Sequence, residues 1–324
     1  MNPPCILVTG GCGYLGSHLL REMAADERFR GARVRVLDNL SSGSAAALCD
    51  LPVGPHFEFV EGDILSPPAV RMALDGIDSV VHMAAMVRTP FAFNQPTSIQ
   101  QINQWGTVQL LEHCREMGVR HFVYASSVSV YGPGSDCLET TECYPLGPYS
   151  QSKLNAERAV SGAGSSSMST SILRLATLYG GEPALMRFDA VANRFCYLAG
   201  IGRSLAVYGS GRQARPLVTV SDAARALLFA LTNEAAVGET FNVVECNPTI
   251  ESLAQIIAAL RPGVRIHYTD QDYREHFSLS VGGEKIHDAG WSTQEQLQST
   301  LQAVLSRFAG LESSGVASGG LDEV

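Results

Sequence analysis

The stretch Val8-Thr9-Gly10-Gly11-Cys12-Gly13-Tyr14-Leu15-Gly16 decides the fold of this chain. The apolar run Cys5-Ile6-Leu7-Val8 predicts a buried strand before it, and the apolar spacing of residues 17–23 predicts a helix after it. Gly10, Gly13 and Gly16 let the chain turn tightly and let backbone N–H groups approach a pyrophosphate at the helix N-terminus. Because a strand and a helix flank the turn, we expect it to bind a dinucleotide.

Further predicted strands alternate with helices along the first half of the chain. The strands are expected at residues 33–38, 56–60, 78–85, 121–127 and 171–177, with helices at 103–117 and about 149–159 and a loop at 161–167. This alternation predicts an α/β fold: a Rossmann-like, doubly wound parallel sheet that binds ligands at the carboxyl ends of its strands. We expect this domain to span residues 1–176 plus about 216–246. A smaller α/β substrate-binding lobe is expected at about 177–215 and 247–310, and a flexible tail at 311–324.

Composition excludes several classes of protein. The 324 residues are 45% hydrophobic and carry a net charge of −9, so a large core is available, and an acidic chain argues against nucleic acid or an anionic membrane as partner. No apolar run reaches membrane-spanning length, and Met1-Asn2-Pro3-Pro4 shows no signal-like pattern, so we expect a cytoplasmic protein. The eight cysteines are expected to be reduced and mostly core residues, and the histidines lack metal-ligand spacing, so no metal is expected.

The cofactor type is indicated by an acidic residue at the end of the second predicted strand. Asp38 lies about twenty residues beyond the glycines, where a carboxylate accepts hydrogen bonds from the adenosine ribose and repels a 2′-phosphate. The sequence therefore favours NAD over NADP. Asp63, after the third predicted strand, is placed to contact the adenine amino group, although a simple turn role explains it equally well.

Residues of acid–base chemistry follow the fifth predicted strand. Tyr149 and Lys153 are four residues apart, so they share one face of the helix that Pro148 begins. An ammonium group and the helix dipole both favour a phenolate, and we therefore expect Tyr149 to act as a base near neutral pH. Ser127, at a strand end, is placed to hydrogen-bond the same substrate oxygen.

The chain resembles the extended short-chain dehydrogenase/reductase family in its sugar-nucleotide epimerase/dehydratase branch. The resemblance covers nearly the whole chain in order. It is carried by the glycine turn, Asp38-Asn39-Leu40, Gly62-Asp63-Ile64, His82-Met83-Ala84-Ala85, Asn103-x-x-Gly106-Thr107, Ser126 to Gly132, Tyr149-x-x-x-Lys153, Leu173-Arg174-x-x-x-x-Tyr179-Gly180, and Arg215-Pro216-Leu217-Val218-x-Val220-x-Asp222.

The resemblance implies catalytic Ser127, Tyr149 and Lys153, with Lys153 also holding the nicotinamide ribose. NAD contacts are expected from Gly10, Gly13, Tyr14, Leu15, Gly16, Asp38, Asn39, Ser42, Asp63, Ile64, Met83, Ala84, Ala85, Tyr149 and Lys153. Contacts with a nucleotide-sugar, most simply a UDP-sugar, are expected from Val87, Ser127, Tyr149, Thr177, Arg187, Val207, Arg215 and Arg274. Arg215 meets the diphosphate in the family, and Thr177 stands where the family usually has asparagine. A homodimer is also implied, formed by a four-helix bundle around a two-fold axis.

The residues after Ser127 distinguish the reactions of this branch. Dehydratases carry an acidic pair there, decarboxylases a glutamate and 3,5-epimerases a cysteine, whereas this chain has Val128 and Ser129. The resemblance therefore favours a 4-epimerase, in which a hydride leaves the sugar and returns. Two alternatives stay open: a 4-keto-sugar-nucleotide reductase on the same fold, and a non-catalytic dinucleotide-binding protein.

Overall fold

The computed structural model describes residues 4–87, 95–181, 186–270, 277–308 and 310–311. Arg274 and the tail from residue 312 onward lie outside the described residues, so the expectations made for them stay untested.

The strands are β1 (Cys5–Thr9), β2 (Arg33–Asp38), β3 (His56–Glu61), β4 (Ser79–His82), β5 (His121–Ser127), β6 (Gly134–Cys137), β7 (Ser169–Leu175), β8 (Thr177–Tyr179), β9 (Leu205–Tyr208), β10 (Leu217–Thr219), β11 (Thr240–Val243), β12 (Ile266–Thr269) and β13 (Leu279–Val281). The α-helices are α1 (Tyr14–Ala25), α2 (Pro67–Leu74), α3 (Pro96–Gln100), α4 (Thr107–Glu116), α5 (Gly147–Ala163), α6 (Val191–Gly200), α7 (Val220–Thr232), α8 (Ile250–Leu260), α9 (Glu284–Asp288) and α10 (Leu297–Ser306).

The main sheet has seven strands in the order β3-β2-β1-β4-β5-β7-β11. Every neighbouring pair is parallel, so all carboxyl ends meet at one edge. The strand order reverses direction between β1 and β4, which opens a crevice at that edge. This arrangement confirms the expected α/β fold with a doubly wound, Rossmann-like parallel sheet.

Helices cover both faces of the sheet, so inner strands such as β1 and β5 are buried and apolar on both sides. One core cluster joins the sheet to α1 and α7, through side chains such as Leu19 and Leu227. A second cluster joins the other face to α2, α4 and α5, through side chains such as Leu74 and Leu110. The layers hold the carboxyl edge of the sheet rigidly, which is what a site built there requires.

The second half of the chain adds smaller parallel pairs: β8 with β10, β9 with β12, and β6 with β13. A third core cluster lies in the part of the chain where a substrate-binding lobe is expected. It packs α6, α8 and α10 together through residues such as Phe195, Leu253 and Leu301.

Several element boundaries differ from the sequence expectations. Helix α5 continues to Ala163, because that side chain is buried in the core, so the expected loop begins only at Gly164. Strand β7 begins at Ser169, which pairs with His121 of β5, and it ends before Thr177. The helix expected at 103–117 begins with a π-helical turn, Gln101–Gly106, that continues α3.

Other expectations concern cysteines, metals and membranes. All eight cysteines lie in described residues, and none forms a disulfide. In the described ranges no three His, Cys, Asp or Glu side chains are grouped to hold a metal ion. Across those same ranges, every helix is too short or too polar to cross a membrane.

Candidate active site

The glycine turn connects β1 to α1 at the crevice of the sheet. Gly10 has φ of +73°, and a Cβ there would lie 2.7 Å from the Ala84 backbone nitrogen. A Cβ on Gly16 would overlap the Gly10 carbonyl oxygen and lie 2.5 Å from the Gly11 Cα. No side chain caps α1 at Gly13, which leaves the helix N-terminus for an anion. The turn is therefore a cradle that side chains would fill, and it fits a dinucleotide pyrophosphate.

The acidic residues expected at the adenosine end lie beside this turn. Asp38 accepts hydrogen bonds from the backbone N–H groups of Cys12 (2.9 Å) and Leu40 (2.8 Å). The Asn39 amide donates to Asp63 at 2.7 Å. These bonds fix two carboxylates at the ends of β2 and β3, and each retains acceptor capacity for a ribose or an adenine.

Ser127, Tyr149 and Lys153 come together where β5 meets α5. Ser127 ends β5, and its Oγ accepts the Ser129 N–H at 3.2 Å, which leaves the hydroxyl hydrogen to donate elsewhere. Tyr149 lies in the first turn of α5, within hydrogen-bonding reach of Ser127. Lys153 follows one turn later, where its ammonium donates a 2.7 Å bond to the Ala125 carbonyl and lies 4.9 Å from the centre of the Tyr124 ring. The three predicted catalytic residues therefore form one cluster.

The pKa of Tyr149 differs in direction from the sequence expectation. Burial raises it above the ordinary value of a tyrosine. The nearby charge of Arg187 and the hydrogen bond with Ser127 lower it but do not outweigh burial. Burial also lowers the pKa of Lys153 to about 8, so its ammonium is less favoured than that of an exposed lysine. The sequence reasoning missed this because it considered neighbouring charges without the cost of burying a phenolate.

The expected substrate residues differ in what surrounds them. Arg215 lies 5.6 Å from the centre of the Phe277 ring, and burial lowers its pKa. Its guanidinium makes no hydrogen bond or ion pair with any side chain in the described ranges. Arg187 pairs with Asp189. Val207 is fully buried in the third core cluster, which leaves its side chain no accessible surface.

Other predicted contacts lie on the segments that follow β4 and β7, whereas Arg274 lies outside the described residues. Thr177 begins β8, and its backbone N–H bonds to Pro216. Val87 is exposed, and Met83 follows β4, where its N–H bonds to Thr9. The Tyr14 hydroxyl donates to the Gly180 carbonyl, so a cofactor contact by Tyr14 falls to its backbone N–H.

A buried hydrogen-bond chain behind the site was not assigned from the sequence. His82 Nδ1 lies 2.7 Å from the Thr9 hydroxyl, and its Nε2 lies 2.9 Å from the Thr107 hydroxyl. Because Thr107 donates to the Asn103 carbonyl at 2.7 Å, it accepts from Nε2–H, and His82 is therefore a neutral Nε2–H tautomer. Asn103 in turn holds both the N–H and the carbonyl of Met86. The His82 and Asn103 motifs contributed to the family resemblance, but their spacing alone gave no partner.

Comparisons with known proteins agree with this geometry. The profile of the NAD dependent epimerase/dehydratase family matches residues 6–244. The chain is 31% identical to a dTDP-glucose 4,6-dehydratase of Neisseria gonorrhoeae over 345 aligned positions, covering 94% of this chain and 95% of that one. It is 27% identical to a trifunctional UDP-glucose 4,6-dehydratase/UDP-4-keto-6-deoxy-D-glucose 3,5-epimerase/UDP-4-keto-L-rhamnose-reductase of Arabidopsis thaliana, of whose length it spans 47% while 95% of this chain is covered.

A solved structure extends the comparison. The UDP-glucose 4-epimerase of Thermus thermophilus in complex with NAD superposes with a TM-score of 0.80 at 26% identity, covering 94% of this chain and 99% of that one. Similar proteins therefore include both a dehydratase and an epimerase, and identities near 30% do not separate the two reactions. The matching family is described as NAD dependent, the Thermus structure is a complex with NAD, and NAD is the cofactor that the glycine cradle fits. The chain belongs to the NAD dependent epimerase/dehydratase family of enzymes.

Proposed function

We propose that this protein is an NAD-dependent 4-epimerase of a nucleotide-activated sugar, most simply a UDP-sugar. The observation that carries the proposal is the pair Val128 and Ser129 directly after Ser127. Val128 is buried and Ser129 offers only a hydroxyl, so neither supplies the acid that expulsion of water from the sugar requires. With Tyr149 and Lys153 present, oxidation and reduction at one carbon is the chemistry left to this site.

The residues divide the reaction among them. Tyr149 takes the proton of the sugar 4-hydroxyl in its phenolate form, and Ser127 orients that hydroxyl. Burial disfavours this phenolate, so its formation depends on the Lys153 ammonium, the hydrogen bond from Ser127 and the positive charge that the nicotinamide of NAD would supply. Bound NAD supplies the acceptor and donor of one hydride at C4. Arg215 holds the diphosphate while the 4-keto sugar rotates in the site, so that the hydride would return to the opposite face of C4, and Tyr149 then returns the proton to the 4-oxygen. Atoms and electrons balance, because the proton and the hydride that leave the sugar both return.

The glycine cradle and Asp38 support NAD as the resident cofactor. Ribose hydroxyls donate to the Asp38 carboxylate, whereas a 2′-phosphate would meet two negative charges, Asp38 and Asp63. We expect NAD to bind more tightly than NADP. Calorimetry that found NADP tighter would contradict this assignment.

Two other functions make different predictions. A 4-keto-sugar-nucleotide reductase would consume NADH or NADPH in amounts equal to product. A protein that only bound dinucleotide would turn over no sugar, although the intact cluster of Ser127, Tyr149 and Lys153 argues against it. A 4,6-dehydratase, the activity of the Neisseria relative, would release a 4-keto-6-deoxy sugar.

Incubation with a panel of nucleotide sugars separates these functions. UDP-glucose, UDP-N-acetylglucosamine and UDP-glucuronic acid are offered without added cofactor, beside dTDP-, GDP- and CDP-sugars. We expect one UDP-sugar to equilibrate with its C4 epimer and the absorbance of NADH to stay constant. A 4-keto-6-deoxy product, or turnover only when NADH or NADPH is added, would contradict the proposal.

We also propose a homodimer formed through α4 and α5 of each protomer. Trp105 is 64% exposed on the π-helical turn that packs beside α5, and large exposed aromatic residues are typical of interfaces. Light scattering should give a dimer mass for the wild type and a monomer mass for Trp105→Glu. Met72→Glu, an exposed apolar position on α2, is the matched control and should stay dimeric. A monomeric wild type would refute the dimer.

A further inference from the structure

Two oppositely charged side chains are buried on the same face of α5. Lys153 and Glu157 are each 4% exposed and stand four residues apart, so they lie one helical turn from each other against the sheet. The Lys153 ammonium donates to a neutral group, the Ala125 carbonyl. Its other contact, the face of the Tyr124 ring, is also uncharged, and a buried cation among uncharged partners is stabilised by a nearby anion.

Glu157 is held firmly in place by its partners. Ser126 donates to it at 2.5 Å, and Arg174 of β7 donates through Nη2 at 2.8 Å and through Nε at 3.1 and 3.2 Å. Arg174 is fixed in turn by the Tyr131 hydroxyl at 2.9 Å, and that hydroxyl donates to Asn242. The carboxylate therefore cannot move to Lys153 without breaking a buried network.

Positive charges outnumber negative ones in this group, because the two cations Lys153 and Arg174 share the single anion Glu157. Glu157 is the acidic group that raises the pKa of Lys153, against the burial that lowers it to about 8. The other titratable groups near Lys153 are Tyr124 on β5, His82 on β4 and Tyr149 one turn earlier on α5. Arg174 on β7 bonds to Glu157, and Tyr131 bonds to Arg174, so these two groups lie beyond Glu157 in the network. Residues 96–106, which also pack on α5, contain no titratable side chain, and Arg115 of α4 bonds to the far end of α5 at Gly162.

We propose that Glu157 is a positioning residue that keeps Lys153 in its ammonium form during the reaction. The proposal rests on the proposed function only in that it takes Lys153 to be a working group of the site. The two charges that meet at Glu157 make the proposal testable. Glu157 favours the proton on Lys153, and Arg174 is a cation bound to Glu157 that, by Coulomb's law, offsets part of this attraction. Removing the Glu157 charge should lower the pH at which Lys153 titrates, and removing the Arg174 charge should raise it.

The sequence provides a direct way to observe this titration. Lysine occurs at only two positions in the whole chain, 153 and 285. Protein labelled with ¹³C at lysine Cε therefore gives two NMR signals, and Lys285→Arg assigns them. Lys285 pairs with Glu239 away from the site, so its titration serves as the internal control in each variant.

The variants Glu157→Gln and Arg174→Gln are titrated beside the wild type. Glu157→Gln should lower the midpoint of Lys153 by at least about one pH unit, and Arg174→Gln should raise it, while Lys285 titrates as in the wild type. An unchanged or raised midpoint in Glu157→Gln, or a shift of both variants in the same direction, overturns the proposal. If Glu157→Gln does not fold, Arg174→Gln decides alone, and a midpoint that is not raised refutes the idea.

Activity gives a second measurement. In Glu157→Gln the alkaline limb of the turnover profile should move to lower pH, with activity recovering as the pH falls. A purely structural role would lower turnover by the same factor at every pH, which would contradict the proposal. The NMR titration needs no substrate, so failure of the proposed 4-epimerase reaction would leave its result intact, and the two failures are distinguishable.

Discussion

The Lys153 ammonium donates a 2.7 Å hydrogen bond to the backbone oxygen of Ala125, two residues before Ser127. This bond ties the helix that carries Tyr149 to the strand that carries Ser127. The three groups are therefore placed by the scaffold itself, with α5 packed against β5. Because the scaffold fixes these positions, removal of a single side-chain group should change activity without disturbing the rest of the site.

The Tyr149 hydroxyl is the atom on which proton transfer depends. Tyr149→Phe keeps the ring in place, so we expect the chain to fold and bind NAD normally while turnover falls by a factor of about 10²–10⁴. Tyr144→Phe is the matched control, because Tyr144 is 61% exposed and its hydroxyl donates to Glu142, so loss of that hydroxyl should leave turnover unchanged. A Tyr149→Phe enzyme of wild-type rate would remove Tyr149 from the mechanism.

Arg215 should contribute to binding of the substrate diphosphate rather than to the chemical step. Its buried guanidinium has no hydrogen-bond partner among the described side chains, which suits an anionic ligand. We expect Arg215→Gln to raise KM about 10- to 100-fold, as loss of about 1.5–3 kcal/mol of charged hydrogen bonding implies, with a small effect on kcat. Arg212→Gln, at an exposed position nearby, should leave both parameters unchanged. An unaltered KM in Arg215→Gln would contradict the assignment.

Alanine substitutions at two glycines, one in the glycine turn and one in α5, test how tightly the turn is packed. Gly16→Ala would drive a Cβ into the backbone of the turn, so we expect loss of NAD binding and destabilisation by several kcal/mol. A Cβ on Gly162, in the last turn of α5, would meet no atom within 4 Å. Gly162→Ala should therefore be neutral or stabilise the protein by roughly 0.5–1 kcal/mol. Equal unfolding midpoints for the two variants would show that the turn is not tightly packed.

His82 should make the protein less stable in acid. Burial, together with the Lys153 charge, lowers its pKa to about 3, whereas a histidine in the unfolded chain titrates near 6.5. Between these values the unfolded chain binds the additional proton, so stability falls as the pH is lowered from about 6.5 towards 3.

The variant His82→Gln isolates this contribution. It is expected to be less stable than the wild type at pH 7, because Thr9 or Thr107 loses a buried partner, but it should lose less stability between pH 7 and pH 4.5. Urea unfolding at the two pH values gives the comparison. Equal losses in both proteins would mean that His82 does not titrate in this window.

Much of the fold could be predicted from the sequence, because its signals are local. The sheet and its crevice follow from the glycine turn and from the alternation of apolar strands with helices. The spacing of Tyr149 and Lys153 places both residues on one face of α5. The same reasoning could not find the partners of Glu157 or His82. Arg174 is 17 residues from Glu157, and Thr9 is 73 residues from His82, so only the register of the sheet brings them together.

Errors at element ends have a related cause. The serine- and glycine-rich stretch from Ser161 has low helix propensity, yet burial of Ala163 extends α5 through it. The direction predicted for the pKa shift of Tyr149 is also wrong, because burial depends on tertiary packing that no local sequence pattern reports. For the same reason, the side-chain exposure of Val207 could not be judged from its position in the sequence.

The measurement that tests the central claim most directly uses a UDP-sugar carrying deuterium at C4. If the hydride leaves C4 and returns to it within one active site, the C4 epimer retains its deuterium, and the redox state of the cofactor shows no net change. Loss of the label to solvent, net consumption of NADH, or a 4-keto-6-deoxy product would contradict 4-epimerisation by Tyr149, Lys153 and Ser127.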